Sequence, residues 1–312
     1  MEIKTGLGKL PISRNGKVII PRGIREIPDN AFFGSDITSV VIPNTVTRIG
    51  AQAFTGCHKL TKIKLPYTLV EIGDCAFLDC PAIKHIDIPE SVCAIGKRAF
   101  GVTDSLTSVK IPFGVTAIRE RTFEGCISLQ SVIIPPSVTA IEDDAFYGCD
   151  NLQRVVLPNS ITSFGADVFS WCDKLKGTII VGDIFVRLDP DYDGTSYTVP
   201  SGIRHVAGGA FAHRLSLKEV KLPDSIESIE PFTFNDCSAL ESVVIPGSVR
   251  TIREFAFADC ISMRSIEIPE TVKIIEDCAF AGCDSIMEVV ISDSETVTEE
   301  YALDDDVRYI RR

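Results

Sequence analysis

The 23 residues LTKIKLPYTLVEIGDCAFLDCPA, from Leu60 to Ala82, contain a pattern that recurs along most of the chain. Each copy has an aliphatic–proline dipeptide, which places proline at positions 21, 43, 66, 89, 112, 135 and 158, then at 200, 223, 246 and 269. One step between these prolines is 22 residues, one is 42, and every other step is 23. A fixed period of this length is typical of a solenoid, in which each repeat packs on its neighbours.

Each copy of the pattern divides at its proline. The segment from Leu60 to Pro66 alternates apolar and polar residues at its end, which predicts a short strand with one buried face. Proline ends this strand because it cannot donate a hydrogen bond to the ladder. The second half carries a phenylalanine that recurs as Phe32, Phe54, Phe77, Phe100, Phe123, Phe146, Phe169, Phe211, Phe234, Phe257 and Phe280. A single repeat cannot bury its own apolar face, so the repeats must stack.

The repeat resembles the leucine-rich repeats of the Treponema or BspA-like type. Their pattern, L-x-x-(I/V)-x-(I/L)-P-x-x-(V/L)-x-x-I-G-x-x-A-F-x-x-C, matches residues 37 to 291 almost throughout. The resemblance implies a leucine-rich-repeat solenoid that is mostly β, with short helical or 3-10 turns. About twelve stacked repeats would form a curved right-handed superhelix.

We predict one solenoid domain over residues 1–312, with an N-terminal cap at 1–20, repeats at 21–291 and a C-terminal cap at 292–312. The 42-residue step adds about nineteen residues, which predict an inserted β-hairpin at about 178–199. A strand ending at Val181 would turn at Gly182-Asp183, return antiparallel over Ile184–Leu188, and rejoin the repeat at Ser196–Val199.

The insertion contains the stretch DPDYDG, which begins like a calcium-binding helix–loop–helix loop. The candidate ligands are Asp189, Asp191 and Asp193. Such a loop needs a bidentate glutamate at its twelfth position, where this chain has Pro200, and it needs a helix on each side. Since Asp, Pro and Gly also favour tight turns, we interpret the stretch as a turn and keep a weak surface calcium site as the alternative.

Other residues give little support for catalysis. Eight of the eleven cysteines occupy one repeat column, where neighbouring side chains run parallel, and we expect reduced structural thiols. The four histidines fall at different repeat positions, and no nucleotide-binding or catalytic motif is present. We therefore predict no enzyme and no cofactor. A net charge of −12 without a basic run argues against nucleic acid, and no apolar stretch is long enough for membrane insertion.

The strand residues that point outward are the candidate binding surface, which we expect to be concave. They form two columns along the repeats, and the partner-binding candidates among them are Lys62, Lys64, His85, Lys110, Ile133, Arg154, Val156 and Ile179. We expect Ile133, Val156 and Ile179 to be consecutive in space, as an apolar patch rimmed by charge. Ordinary strand propensity is the alternative explanation, and the hairpin could also cover the patch.

These features favour a monomeric, non-enzymatic recognition module for a protein or peptide partner. The resemblance to BspA-like proteins implies a cell-surface or secreted adhesin or antigen. That location requires that a leader peptide was removed, because the N-terminus has no secretory signal. The first alternative is an intracellular, cytoplasmic scaffold, which reduced cysteines would suit. The second is a calcium-regulated binding module.

Overall fold

Parallel β-strands, two in most repeats, provide nearly all of the regular structure in this computed structural model. The structure describes residues 2–5, 8–11, 15–291, 296–299, 301–302 and 308–311, with side chains for 15–291, 296–299 and 301–302. The chain divides into two compact units. Unit 1 contains Met1–Ser163 and Val168–Leu175, and unit 2 contains Phe164–Asp167 and Lys176–Arg312. The single-domain organisation and its two caps stay predictions, and both caps lie partly outside the described residues.

Unit 1 begins with an antiparallel pair, β1 (Glu2–Thr5) and β2 (Gly8–Pro11). The strands before the prolines form parallel sheets, which we call front sheets. They are β3 (Lys17–Ile19), β5 (Ser39–Val41) and β7 (Lys62–Lys64) in one, and β10 (Ser108–Lys110), β12 (Ser131–Ile133) and β14 (Arg154–Val156) in the next. The strands after the prolines are β4 (Glu26–Ile27), β6 (Arg48–Ile49), β8 (Glu71–Ile72) and β9 (Ala94–Ile95), then β11 (Ala117–Ile118) and β13 (Ala140–Ile141). β15 (Ser163–Phe164) lies where the units meet along the chain.

Unit 2 repeats this arrangement after the insertion. Its first sheet contains β16 (Ile179–Val181), β17 (Ile184–Arg187) and β19 (His205–Val206). Its front sheets are β18 (Ser196–Thr198), β20 (Glu219–Lys221) and β22 (Ser242–Val244), then β24 (Ser265–Ile268), β26 (Glu288–Ile291) and β28 (Arg308–Arg311). The strands after the prolines are β21 (Ser228–Ile229), β23 (Thr251–Ile252), β25 (Ile274–Ile275) and β27 (Val297–Thr298).

The predicted hairpin is confirmed. β16 and β17 pair antiparallel, and the turn between them has Gly182 at φ +60°, a conformation that glycine adopts without steric cost. β17 then pairs in parallel with β19, so one arm of the hairpin serves as a repeat strand. The chain rejoins the front sheet where β18 pairs in parallel with β20.

Stacked phenylalanine rings fill the core of each unit. In unit 1 the rings from Phe32 to Phe169 have centroids 5.1–5.6 Å apart and planes within 14° of parallel. In unit 2 the rings from Phe211 to Phe280 are 5.1–5.2 Å apart. Phe185 of the hairpin stacks on Phe211 at 5.0 Å, so the insertion supplies a core ring that the repeat period does not predict. Each ring is 2% exposed or less, and burying a phenylalanine stabilises the fold by about 1.5–3 kcal/mol.

The turns that carry these phenylalanines are not helical. The described residues contain no α-helix and no 3-10 segment, in contrast to the short helical turns expected from the resemblance. In each repeat the residue two positions before the phenylalanine has φ between 52° and 71°, and the residue two positions after it has φ between 54° and 70°. Left-handed residues on both sides interrupt a right-handed turn. Hydrogen bonds to the next repeat hold them, such as Asn30 N–H to Ala51 O at 2.9 Å.

The cysteine column has a shared hydrogen-bonding role. All eleven cysteines are free thiols, and the eight of the column are buried. Each of the eight column thiols donates to the carbonyl oxygen of the phenylalanine one repeat earlier, at 3.0–3.2 Å. Thr103 occupies the same column position, and its Oγ1 donates to Phe77 O at 3.2 Å. This repeat position therefore requires a small, buried side chain that donates a hydrogen bond. A thiol makes this bond and adds little polarity to the core.

Candidate binding face

The front sheets of unit 1 present two outward columns, because alternate residues of a strand point to opposite sides. In β10 the central Val109 is buried, whereas Ser108 and Lys110 are exposed. The parallel pairing keeps equivalent residues side by side: Lys110 pairs with Ile133, and Ile133 pairs with Val156. The first column contains Lys17, Ser39, Lys62, His85, Ser108, Ser131 and Arg154, and the second contains Ile19, Val41, Lys64, Asp87, Lys110, Ile133 and Val156.

Ile133 and Val156 form an exposed apolar patch on neighbouring strands. Ile133 is 62% exposed and Val156 is 37% exposed. Their neighbours in the first column are polar: Ser131 pairs with Arg154 across the same two strands. The surface therefore exposes apolar side chains beside a charged one. Protein surfaces that a partner covers commonly have this composition.

Ile179 belongs to unit 2 and has a different environment. It is half-buried in β16, and the pairing with β17 shifts register between Ile179 and Ile180. This irregularity leaves Ile180 41% exposed. A regular repeat strand would expose Ile179, as we expected from the sequence, but in this irregular strand Ile180 is the more exposed of the two isoleucines.

The lysines of the face differ in how far their charge is compensated. Lys110 Nζ is 2.5 Å from Glu90 Oε1, and this hydrogen bond lowers the pKa of the Glu90 carboxyl. Lys62 and Lys64 are exposed and make no ion pair with any residue that the structure describes. His85 is exposed, and its Nδ1 is 3.4 Å from Thr107 Oγ1. Arg154 on β14 is likewise exposed and has no ion pair among the described residues, so the uncompensated cations of this face lie on β7 and β14.

A shallow groove of about 580 Å³ adjoins the second column at the proline end of β5 and β7. Val41, Lys64, Tyr67 and Asp87 line it, together with residues flanking Pro66. Tyr67 is 71% exposed, and Phe113, two repeats further on and also directly after a proline, is 63% exposed.

Alternation within strands does not identify these two aromatic residues, because Tyr67 and Phe113 lie in the turns after the strands. The signal was present in the position after the proline, which is aromatic in these two repeats and not in the other nine.

The acidic stretch of the insertion forms local contacts. Asp189 Oδ1 accepts a hydrogen bond from Asp191 N–H at 3.1 Å, as in a turn, and the Asp191 carboxylate pairs with Lys176 Nζ at 2.6 Å. Among the described residues, no group of three or more Asp, Glu, His or Cys side chains lies close enough together to hold a metal ion. The structure does not gather Asp189, Asp191 and Asp193 into one ligand set, and the calcium alternative stays a prediction.

The sequence matches the BspA type leucine rich repeat region, in six copies, over residues 25–112, 93–184 and 192–307. Among curated proteins, no relative matches the chain. In the part of the chain that the structure describes, no helix is long and apolar enough to cross a membrane.

Several solved structures are similar along the chain. A leucine rich cell surface protein from Faecalibacterium prausnitzii A2-165 is 28% identical, with a TM-score of 0.69, covering 100% of this chain and 94% of that one. A leucine-rich repeat protein from Bacteroides ovatus is 25% identical, with a TM-score of 0.56 and coverage of 97% and 94%. The leucine rich repeat protein of T. pallidum is 36% identical, with a TM-score of 0.50, covering 52% of this chain and 79% of that one.

Proposed function

The chain belongs to the BspA type leucine rich repeat family, and from this membership we propose that it is a non-enzymatic protein-recognition module. Its partner is a protein or peptide that binds the front sheets of unit 1. The exposed pair Ile133 and Val156, flanked by Arg154 and Lys110, is the observation that carries this proposal. Apolar side chains in the centre of a contact and polar ones at its rim are the usual composition of a protein interface.

We further propose that the protein acts at the cell surface or is secreted, as an adhesin or antigen. The similar protein from Faecalibacterium prausnitzii, which is described as a cell surface protein, supports this location. An intracellular scaffold is the second candidate, and the eleven free thiols favour it because a reducing compartment preserves them. Antibody labelling of intact source cells separates the two: signal without permeabilisation supports the surface, and signal only after permeabilisation supports the scaffold.

Capture of partners by the immobilised protein tests the binding function. Proteins from the native environment are identified by mass spectrometry on the wild type and on the double variant Ile133→Asp/Val156→Asp. We expect the double variant to lose the captured partner, because two carboxylates would be desolvated in the contact. Circular dichroism establishes that the variant is folded.

The matched control is Ile127→Asp/Ile261→Asp. These isoleucines are 41% and 48% exposed, follow column cysteines, and lie outside the front sheets. This control adds the same charge and should retain capture. Undiminished capture by the folded Ile133→Asp/Val156→Asp protein would refute the proposed face.

A further inference from the structure

The outward columns of the two units carry opposite charge. In unit 1 the two columns contain the cations Lys17, Lys62, Lys64, Lys110 and Arg154 against the single carboxylate Asp87. In unit 2 the equivalent positions contain Lys221 and Arg308 against Glu219, Glu267 and Glu288. The whole chain has a net charge of −12, so the cationic face of unit 1 runs against the overall charge. A local excess of one sign selects a partner of the other sign and accelerates its association.

Apolar and aromatic groups are interleaved with these cations. Ile133 and Val156 follow Lys110 in the second column, and Arg154 lies two residues before Val156 on the same strand. Val41 and Tyr67 line the groove beside Lys64. A polyanion such as a sulfated glycan or a nucleic acid would use the cations and leave the apolar side chains facing water. A polypeptide that alternates carboxylates with apolar side chains would satisfy both sets of groups.

We propose that the outward columns of unit 1 bind an acidic polypeptide segment whose apolar side chains contact Ile133, Val156 and the groove beside Tyr67. Lys62 and Lys64 pair with its carboxylates, since they have no ion pair among the described residues. This inference rests on the proposed function and names the chemistry of the partner at the same face.

Fluorescence anisotropy with a labelled 16-residue peptide, in which glutamates alternate with leucine and tyrosine, tests the proposal on the full chain. A second peptide with lysine in place of each glutamate measures charge selectivity. We expect the acidic peptide to bind at least tenfold more tightly than the basic one, with an affinity that falls as salt is added.

Lys64→Glu and Lys221→Glu form a matched pair of variants. Both lysines are exposed, occupy the second column of a three-residue front strand, and change the net charge equally. We expect Lys64→Glu to weaken binding of the acidic peptide by about tenfold, whereas Lys221→Glu should change it less than about twofold. Tyr67→Ala should weaken it by about threefold, because the ring would leave the groove.

Equal effects of Lys64→Glu and Lys221→Glu on peptide binding would overturn the proposal, and so would equal affinities for the acidic and basic peptides. A third result would also overturn it: heparin that binds as tightly as the acidic peptide, with an affinity that Tyr67→Ala does not change. The last result would identify a polyanion site. Absence of peptide binding, together with loss of native partner capture in Ile133→Asp/Val156→Asp, would reject the acidic partner and leave the proposed function standing. Survival of that capture would reject the function itself.

Discussion

Removing one ring from the phenylalanine column of unit 1 should lower the free energy of unfolding by several kcal/mol. Phe123 is fully buried and lies between Phe100, at 5.6 Å, and Phe146, at 5.3 Å. Phenylalanine-to-alanine changes in cores typically cost about 3–5 kcal/mol, and each ring stack contributes about 0.5–1.5 kcal/mol beyond its buried area. The typical cost of the substitution already includes lost ring contacts, and Phe123 loses two of them, so we expect Phe123→Ala to lower the free energy of unfolding by an amount in the upper part of that range, about 4–5 kcal/mol.

Urea denaturation followed by circular dichroism measures this change, with Phe113→Ala as the control. Phe113 is ten residues away and 63% exposed, so its removal should cost only about 0.5 kcal/mol. The comparison holds residue type and substitution constant and varies only burial. If the free energies of unfolding of the two variants differ by less than about 1 kcal/mol, burial of the ring in the column does not stabilise the solenoid.

Three further predictions concern the thiols and the hairpin. Cys93 is exposed and should react with a maleimide in the folded protein, whereas buried Cys126 should react only after unfolding; mass spectrometry that finds equal labelling rates would contradict this. Burial raises the pKa of Cys126 from 9.0 to about 12, so the folded state keeps a proton that the unfolded state loses. Stability should therefore fall by about 1.4 kcal/mol per pH unit for this thiol between pH 9 and 12, and Cys126→Thr should reduce that slope in denaturation titrations; an unchanged slope refutes the argument. Gly182→Ala should cost about 1 kcal/mol and Gly182→Asn less, because φ is positive and the added Cβ meets no atom within 4 Å; equal denaturation midpoints for wild type and both variants would count against this.

The sequence predicted the fold because its strongest signals repeat. The proline and phenylalanine columns give the 23-residue period. Because successive repeats stack in register, this spacing alone predicts that Phe54 packs on Phe77. Gly182-Asp183 likewise predicts the hairpin from local turn chemistry. The position of Phe185 could not be predicted, because it depends on β17 pairing with β19 across the insertion.

Other features depend on backbone conformation and on contacts between repeats, which the residue pattern does not predict. Val102, Phe232 and Phe255 adopt left-handed conformations that such side chains disfavour by about 1–2 kcal/mol, and the bonds between repeats hold them there. The thiol-to-carbonyl bonds likewise appear only when the repeats are stacked. On the proposed binding face, alternation predicted the exposure of Ile133 and Val156, whereas Tyr67 lies outside any strand and gave no periodic signal.

The most direct test of the binding face is photo-crosslinking from defined positions on the full chain. A benzoylphenylalanine replaces Val156 in one protein and Ile127 in another, and each is irradiated with the captured partner. We predict a crosslinked product from position 156, in the second column of unit 1, and none from position 127, which lies outside the front sheets. Crosslinking from position 127 alone would show that the partner binds elsewhere and would contradict the account.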